Sequence, residues 1–212
     1  MLIIRNIMKF LKIIKQTLLR ILFFCVILLS NINIDRKGKY SLIFDKWLVP
    51  DRIFGHYYEI TPDMIRALGR SALLCDIDNT LATYEDPTPP ERLINWIEEM
   101  RRTGISIAFV SNNTKERVEL FNKSLQCVAF AKAGKPKTKY LYAACEQLHI
   151  DKDQAILLGD QLLTDCAAGK RFGIPSWIVP PIRDKKTLFF RMKRLLEKPY
   201  LRKYRRIHAA GQ

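Results

Sequence analysis

Ala72-Leu73-Leu74-Cys75-Asp76-Ile77-Asp78-Asn79-Thr80-Leu81 decides how the rest of the chain is read. Four apolar residues followed by two carboxylates describe a buried strand that delivers acid groups at its carboxyl end. On a regular strand Asp76 and Asp78 share a face, because side chains alternate with a period of two. Like charges that close repel unless a cation lies between them. Magnesium, a hard cation that takes oxygen ligands, is the simplest candidate.

The chain downstream supplies matching pieces in order. Ile105 to Val110 is a second apolar run, ending at Ser111-Asn112-Asn113. A weaker run, Cys127 to Ala131, precedes Lys135-Pro136, and Ala155-Ile156-Leu157-Leu158 ends in Gly159-Asp160, with Asp165 five residues further on. The expected alternation is strand Ser71–Asp76, helix Glu91–Thr103, strand Ser106–Ser111, helix Thr114–Ser124, strand Cys127–Ala131, helix Thr138–His149, strand Ala155–Gly159, helix Asp165–Phe172 and strand Ser176–Val179. Such alternation implies a parallel sheet covered by helices on both faces. Sites in open parallel sheets form outside the carboxyl ends of the strands, where the carboxylates, the hydroxyl and the ammonium all fall. Upstream, Thr61-Pro62 opens a short helix and Gly69 closes it.

This set resembles the haloacid dehalogenase (HAD) superfamily. Asp76-Ile77-Asp78-Asn79-Thr80 matches its first motif, Ser111 the second, Lys135 the third, and Gly159-Asp160 through Asp165 the fourth. Within the superfamily the match is most similar to the YqeG-type subfamily IIIA phosphatases, over roughly residues 40 to 182. Related eukaryotic proteins of that group are phosphatidylglycerophosphate phosphatases. The resemblance implies an α/β, HAD-like Rossmannoid three-layer sandwich with a parallel central sheet and no cap domain. It implies Asp76 as nucleophile, Asp78 as acid and base, Ser111 and Lys135 as partners of the phosphoryl oxygens, and Asn112 beside them in substrate binding. The cofactor it implies is Mg2+, held by Asp76, Asp78 (through its backbone carbonyl), Asp160 and Asp165.

Each residue also has an ordinary reading. Acidic turns after strands are common, Ser111 alone reads as a cap or turn residue, and Lys135 alone as a solvated lysine. An N-cap role accounts for Asp165, and Asn113-x-x-Glu116 reads as a capping pair for the next helix. The four motifs in order make the ordinary readings improbable as a set. Asp78 narrows the reaction, since HAD dehalogenases lack this acid and HAD transport ATPases carry a lysine there. A phosphomonoester hydrolase working through an aspartyl-phosphate is the expected activity.

About two dozen residues separate Thr80 from the second strand, and Lys135 and Gly159 enclose room for one helix. Neither gap holds an inserted domain, so the site is expected to be open to large substrates: a lipid, a protein or a nucleic acid. Composition bears on which. The 212 residues carry a net charge of +15, concentrated at the ends. Residues 1–20 hold five Lys or Arg and no acid, and residues 183–206 hold eleven against Asp184 and Glu197. Ile21 to Leu29 is an apolar run too short to span a bilayer, which needs about 20 residues. The expected organisation is a basic and apolar extension over 1–40 (a membrane contact or a start-site artefact), a phosphatase domain over 41–182, and a basic helix and tail over 183–212. A helix over Lys185 to Lys198 shows apolar residues at helical spacing. Basic ends suit anionic lipid and RNA phosphate alike. The resemblance implies phosphatidylglycerophosphate as the substrate, and the basic, apolar ends agree with it; the alternative is a low-turnover binding protein on RNA or ribonucleoprotein. Five cysteines without a C-x-x-C suggest free thiols in a reducing compartment. The expected location is cytoplasmic, with peripheral contact at the inner membrane face.

Overall fold

A computed structural model of the chain describes residues 32–34, 40–42, 44–183 and 187–209. The chain divides into two units, Met1–Lys46 and Trp47–Gln212. In the first, β1 (Ile32–Ile34) and β2 (Tyr40–Leu42) pair antiparallel, with Ile32 opposite Leu42. The apolar run Ile21 to Leu29 lies outside the described residues. Among the described residues no helix is long and apolar enough to cross a membrane.

The second unit is built on a six-stranded parallel sheet, in the order β3 (Arg52–Ile53), β8 (Ser176–Ile178), β7 (Ala155–Gly159), β4 (Ala72–Cys75), β5 (Ser106–Val110), β6 (Val128–Phe130). The connecting helices are α1 (Pro62–Arg66), α2 (Glu91–Arg102), α3 (Lys115–Asn122), α4 (Lys139–Leu148), α5 (Ala167–Phe172) and the long terminal α6 (Leu188–Ala209). Every strand and helix expected between Ser71 and Val179 is present, most of them trimmed by a residue or two at their ends. The two-residue β3, which extends the sheet beside β8, was not anticipated, since two residues leave no period to read. Thr61 does cap α1, its hydroxyl accepting from the Met64 N–H, and Gly69 follows with a φ of 66°.

The alternation along each strand sorts side chains into two cores, which makes the unit three layers. Leu73, Cys75, Ile107, Phe109, Ile156 and Leu158 pack with Leu93, Trp96, Ile97 and Phe121 of α2 and α3. Leu74, Ala108, Val110, Ala155 and Leu157 pack with Leu141, Ala144, Ala168 and Phe172 of α4 and α5. The β4 residues are buried on both faces, as a central parallel strand requires. Each large apolar side chain so buried contributes about 1.5–3 kcal/mol. Starting from β4, the chain runs outward through β5 and β6, then returns to fill the other side with β7 and β8. The reversal leaves a crevice at the carboxyl ends of β4, β5 and β7, where ligands bind in doubly wound sheets.

Only one helix and its loops lie between Thr80 and β5, and only α4 and the short 3-10 turn Lys152–Gln154 between Lys135 and β7, so no cap domain is inserted. The terminal helix runs further than the Lys185 to Lys198 pattern suggested, continuing through Pro199 to Ala209. The four described cysteines, Cys75, Cys127, Cys145 and Cys166, are free and buried.

Candidate active site

β4 ends at Cys75, so Asp76 and Asp78 do not sit on a shared strand face; they lie in the loop that leaves the sheet. That loop turns sharply at Asn79, whose φ is 68°, while the N–H groups of Thr80, Leu81 and Ala82 bond the Ile77 carbonyl. The turn separates the two carboxylates and gives each its own cation. Asp76 accepts from the Lys135 ammonium at 2.7 Å. Asp78 is held by Arg117 of α3, whose Nη2 lies 3.1 Å from Oδ1, and by the Asn113 amide, which donates to Oδ2 at 2.7 Å. The repulsion expected between neighbouring acids is thus relieved by two side-chain partners as well as by any metal.

Lys135, 5% exposed, bridges two loops: its ammonium also lies 2.7 Å from Asp165 Oδ1. Burial pulls its pKa down, but Asp165 and Asp76 outweigh burial and the ammonium is held above its ordinary range. Its backbone is clamped by Asn112, which accepts the Lys135 N–H at 2.7 Å and donates to the Lys135 carbonyl at 3.2 Å. Ser111, at the end of β5, is buried and its hydroxyl accepts from the Asn113 N–H.

Asp160 and Asp165 follow β7. Asp165 does not cap the following helix as a surface residue would. It sits inside a π-helical turn, Leu162–Cys166, buried and folded back on the sheet, where Oδ2 accepts from the Gln161 N–H. Gly159 makes this possible, because a Cβ there would lie 2.3 Å from the Asp165 Cβ and Cγ. The glycine is therefore more than an ordinary turn residue. The capping pair expected of Asn113 and Glu116 also differs: α3 is capped by Thr114, whose hydroxyl accepts from the Arg117 N–H, and Asn113 is turned inward to Asp78.

Ligand oxygens of Asp76, Asp160 and Asp165 lie within 4.8 Å of one another, and all three residues are buried. Burial, with the neighbouring acids, raises the pKa of Asp76 against the pull of Lys135; burial raises that of Asp160 too, with Asp165 adding to it and Arg194 opposing. Concentrated buried negative charge with oxygen donors alone fits a hard divalent cation. The Asp78 side chain lies outside this cluster, engaged with Arg117 and Asn113.

A cavity of about 240 Å³ opens over Asp76, Asp78 and Asp165, with Asp160 behind its lining. Its floor is Asp76, Asp78, Ser111, Lys135 and Asp165, and its rim includes Tyr84, Phe190 and Lys193. Phe190 and Lys193 come from α6, with the Lys193 amine donating to Gln161 Oε1 at 3.2 Å and Phe190 meeting Tyr84 edge-on. Sequence reading assigned no residue of α6 to the site, nor Arg117, Tyr84 or an inward Asn113. The sequence carries one signal for α6: Glu197 is the only acid in the helical stretch from Leu188 to Arg206.

The chain is similar over 156 residues to the probable phosphatase YqeG of Bacillus subtilis (strain 168), at 34% identity, covering 74% of this chain and 91% of that protein. The chain belongs to the YqeG-type HAD phosphatases. A HAD-hydrolase-like family model matches residues 132–181 of this YqeG-type chain, from just before Lys135 through the Asp160 loop to β8. Among solved structures, a putative HAD-like phosphatase from Mesorhizobium loti is 21% identical with a TM-score of 0.40, covering 61% of this chain and 87% of that one. An uncharacterised protein from Listeria monocytogenes serotype 4b is 18% identical with a TM-score of 0.44, covering 55% and 84%.

Proposed function

We propose that this YqeG-type protein hydrolyses phosphomonoesters through an aspartyl-phosphate on Asp76, with magnesium bound by Asp76, Asp160, Asp165 and the Asp78 carbonyl. One observation carries the reading: the Asp76 carboxylate lies at the floor of an open cavity, 2.7 Å from the Lys135 ammonium and within the three-carboxylate cluster.

An Asp76 oxygen attacks phosphorus, the bond to the leaving oxygen breaks, and Asp78 gives that oxygen its proton. Water then attacks the aspartyl-phosphate; Asp78 takes a proton from it, the acyl–phosphate bond opens at phosphorus, and Asp76 is regenerated with inorganic phosphate released. Arg117 and Asn113 hold the Asp78 carboxyl in place for both transfers. Ser111 and Lys135 bond the phosphoryl oxygens as charge spreads over them, with Asn112 keeping the Lys135 backbone in register. Bound magnesium supplies charge neutralisation at the phosphoryl oxygens and at the nucleophile.

The finer proposal is a phospholipid substrate, phosphatidylglycerophosphate, met at a membrane surface. About 240 Å³ amounts to roughly eight water volumes at about 30 Å³ each, enough for a phosphoryl group and the first atoms of its leaving group. The remainder of a lipid would pass Tyr84, Phe190 and Lys193 at the rim. The outward side of α6 exposes Leu188 and Leu195 beside Arg191, Lys198, Arg202 and Arg206, an apolar and basic surface suited to anionic lipid.

Phosphate release from an aryl phosphate, with and without magnesium, tests the chemistry. Asp76→Asn should abolish it, and turnover that needs neither magnesium nor Asp76 would refute the reading. Co-sedimentation with phosphatidylglycerol vesicles tests the surface: Arg202→Glu with Arg206→Glu should release the protein from the vesicles. Unchanged binding would remove the membrane argument while leaving the phosphatase intact.

A further inference from the structure

The helical segment that carries Asp165 starts without a cap of its own. Its first N–H groups have no acceptor within the helix, and Gln161, at the cap position, gives them no side-chain oxygen. The N–H groups of Leu162 and Leu163 donate instead to Oε1 of Glu197, at 2.8 and 3.2 Å, across about 35 residues of chain. Glu197 belongs to α6, is 1% exposed, and uses its other oxygen to accept from Arg194 Nη1 at 2.9 Å. That same Nη1 donates to the Asp160 carbonyl at 2.8 Å, while Arg194 Nη2 pairs with the Asp160 carboxylate at Oδ2.

One carboxylate from the terminal helix therefore closes the first turn of the element bearing Asp165. Through Arg194 it also fixes both the backbone and the side chain of Asp160. An anion at a helix start is favourable on two counts, satisfying orphan donors and meeting the positive end of the dipole. Burying that anion is costly unless it is fully hydrogen-bonded, and Glu197 is bonded at both oxygens. Burial raises its pKa, while Arg194 and the two amides work in the other direction. A carboxylate kept in so expensive a place, at the back of two members of a three-oxygen cluster, has a consequence for whatever that cluster binds.

We propose that Glu197 is a positioning residue for the metal site: by capping the 162–166 turn and steering Arg194, it sets the distance between the Asp160 and Asp165 oxygens. The proposal rests on the reading of Asp76, Asp160 and Asp165 as magnesium ligands. Magnesium demands nearly ideal octahedral geometry at about 2.0–2.1 Å, so ligands that drift lose affinity steeply. Groups that orient metal ligands typically account for about 10–100-fold in affinity. The terminal helix, reading from sequence as a basic appendage, thus completes the catalytic unit.

The test is calorimetric titration of magnesium into the full-length chain, well below its melting temperature, for wild type, Glu197→Ala, Glu197→Gln and Tyr204→Phe. Glu197→Ala should weaken magnesium binding by about 10–100-fold. At saturating magnesium it should lower kcat for an aryl phosphate with little change in KM. Glu197→Gln, whose amide oxygen still accepts from the two N–H groups but whose NH2 faces Arg194, should fall between. Tyr204→Phe removes a different anchor of the same helix, the hydroxyl's bond to the Ile53 N–H, and should lower melting temperature without changing magnesium affinity. If Glu197→Ala does not fold, Glu197→Gln decides. Magnesium affinity within twofold of wild type in the folded Glu197 variants, with only melting temperature reduced, reduces Glu197 to a helix anchor and overturns the proposal. A wild-type chain that takes up no magnesium overturns the metal assignment and this proposal together, an outcome distinguishable from the first.

Discussion

Replacing Lys135 by methionine should separate what this ammonium does for the fold from what it does for the reaction. The side chain keeps its length but loses its charge, leaving Asp76 and Asp165 without the partner that lies 2.7 Å from each. All three groups are buried. Breaking a buried ion pair by removing one partner costs about 3–5 kcal/mol. Protonation of the abandoned carboxylates caps the loss, because burial already raises Asp76 and the missing cation raises it further. A net loss of about 3 kcal/mol at neutral pH is the expected outcome, or roughly 6–12 °C in melting temperature for a domain of this size. Magnesium bound among the same carboxylates should recover much of that stability, since a second cation takes over the neutralisation. It should not recover catalysis. A fixed donor aimed at developing charge is worth about 10²–10³ in kcat, and the metal cannot occupy its position. The assay pairs thermal unfolding with aryl phosphate turnover, each with and without magnesium. A melting temperature unchanged at neutral pH, or a kcat within a few-fold of wild type, would show that Lys135 neither compensates these carboxylates nor serves the transferring group.

Other perturbations read separate parts of the site. Gly159→Ala puts a methyl group 2.3 Å from Asp165, and overpacking costs about 1–3 kcal/mol; magnesium affinity should fall with stability, as titration and chemical denaturation would register together. Asp78→Asn removes the proton donor, so kcat should drop by about 10²–10⁴ on an alkyl phosphate, and by much less on a nitrophenyl phosphate whose leaving oxygen needs no proton. The metal's effect should depend on pH with a definite sign. Asp76 and Asp160 have folded-state pKa values raised above their unfolded ones, by burial first and then by neighbouring acids. The metal-free fold therefore holds extra protons and loses stability as pH climbs through the window between the unfolded and folded values. Magnesium displaces those protons, so its stabilising shift in a thermal melt should grow from pH 5.5 to pH 8; a shift that shrinks would contradict the assignment.

Local order was legible where it is set by local chemistry. Apolar runs closed by polar residues located β4, β5 and β7, because a central parallel strand must be apolar on both faces; the edge strand β6 showed a weaker run, and β8 followed from the alternation of strand and helix. The motif residues at their ends followed, because a strand's carboxyl end is a fixed place in a parallel sheet. Thr61-Pro62 announced its helix through the cap alone. What the chain could not disclose were contacts between distant residues. The face shared by Asp76 and Asp78 vanished because the strand stops at Cys75, and the positive φ of Asn79 sends the two carboxylates to different cations. Asn113 reads as a helix cap because its sequence neighbours suggest one, yet it bonds a carboxylate 35 residues away.

The terminal helix shows the same division most sharply. Its amphipathic spacing and its charge are properties of the sequence. That its single acid caps a turn 35 residues upstream, and that Phe190 and Lys193 reach the rim of the cavity, depend on how that helix docks. Docking is decided by packing across the whole unit. Strand runs, caps and motifs are short-range patterns of polarity, which one chain read alone displays; the partner of a buried charge is chosen by three-dimensional proximity, which no local pattern encodes.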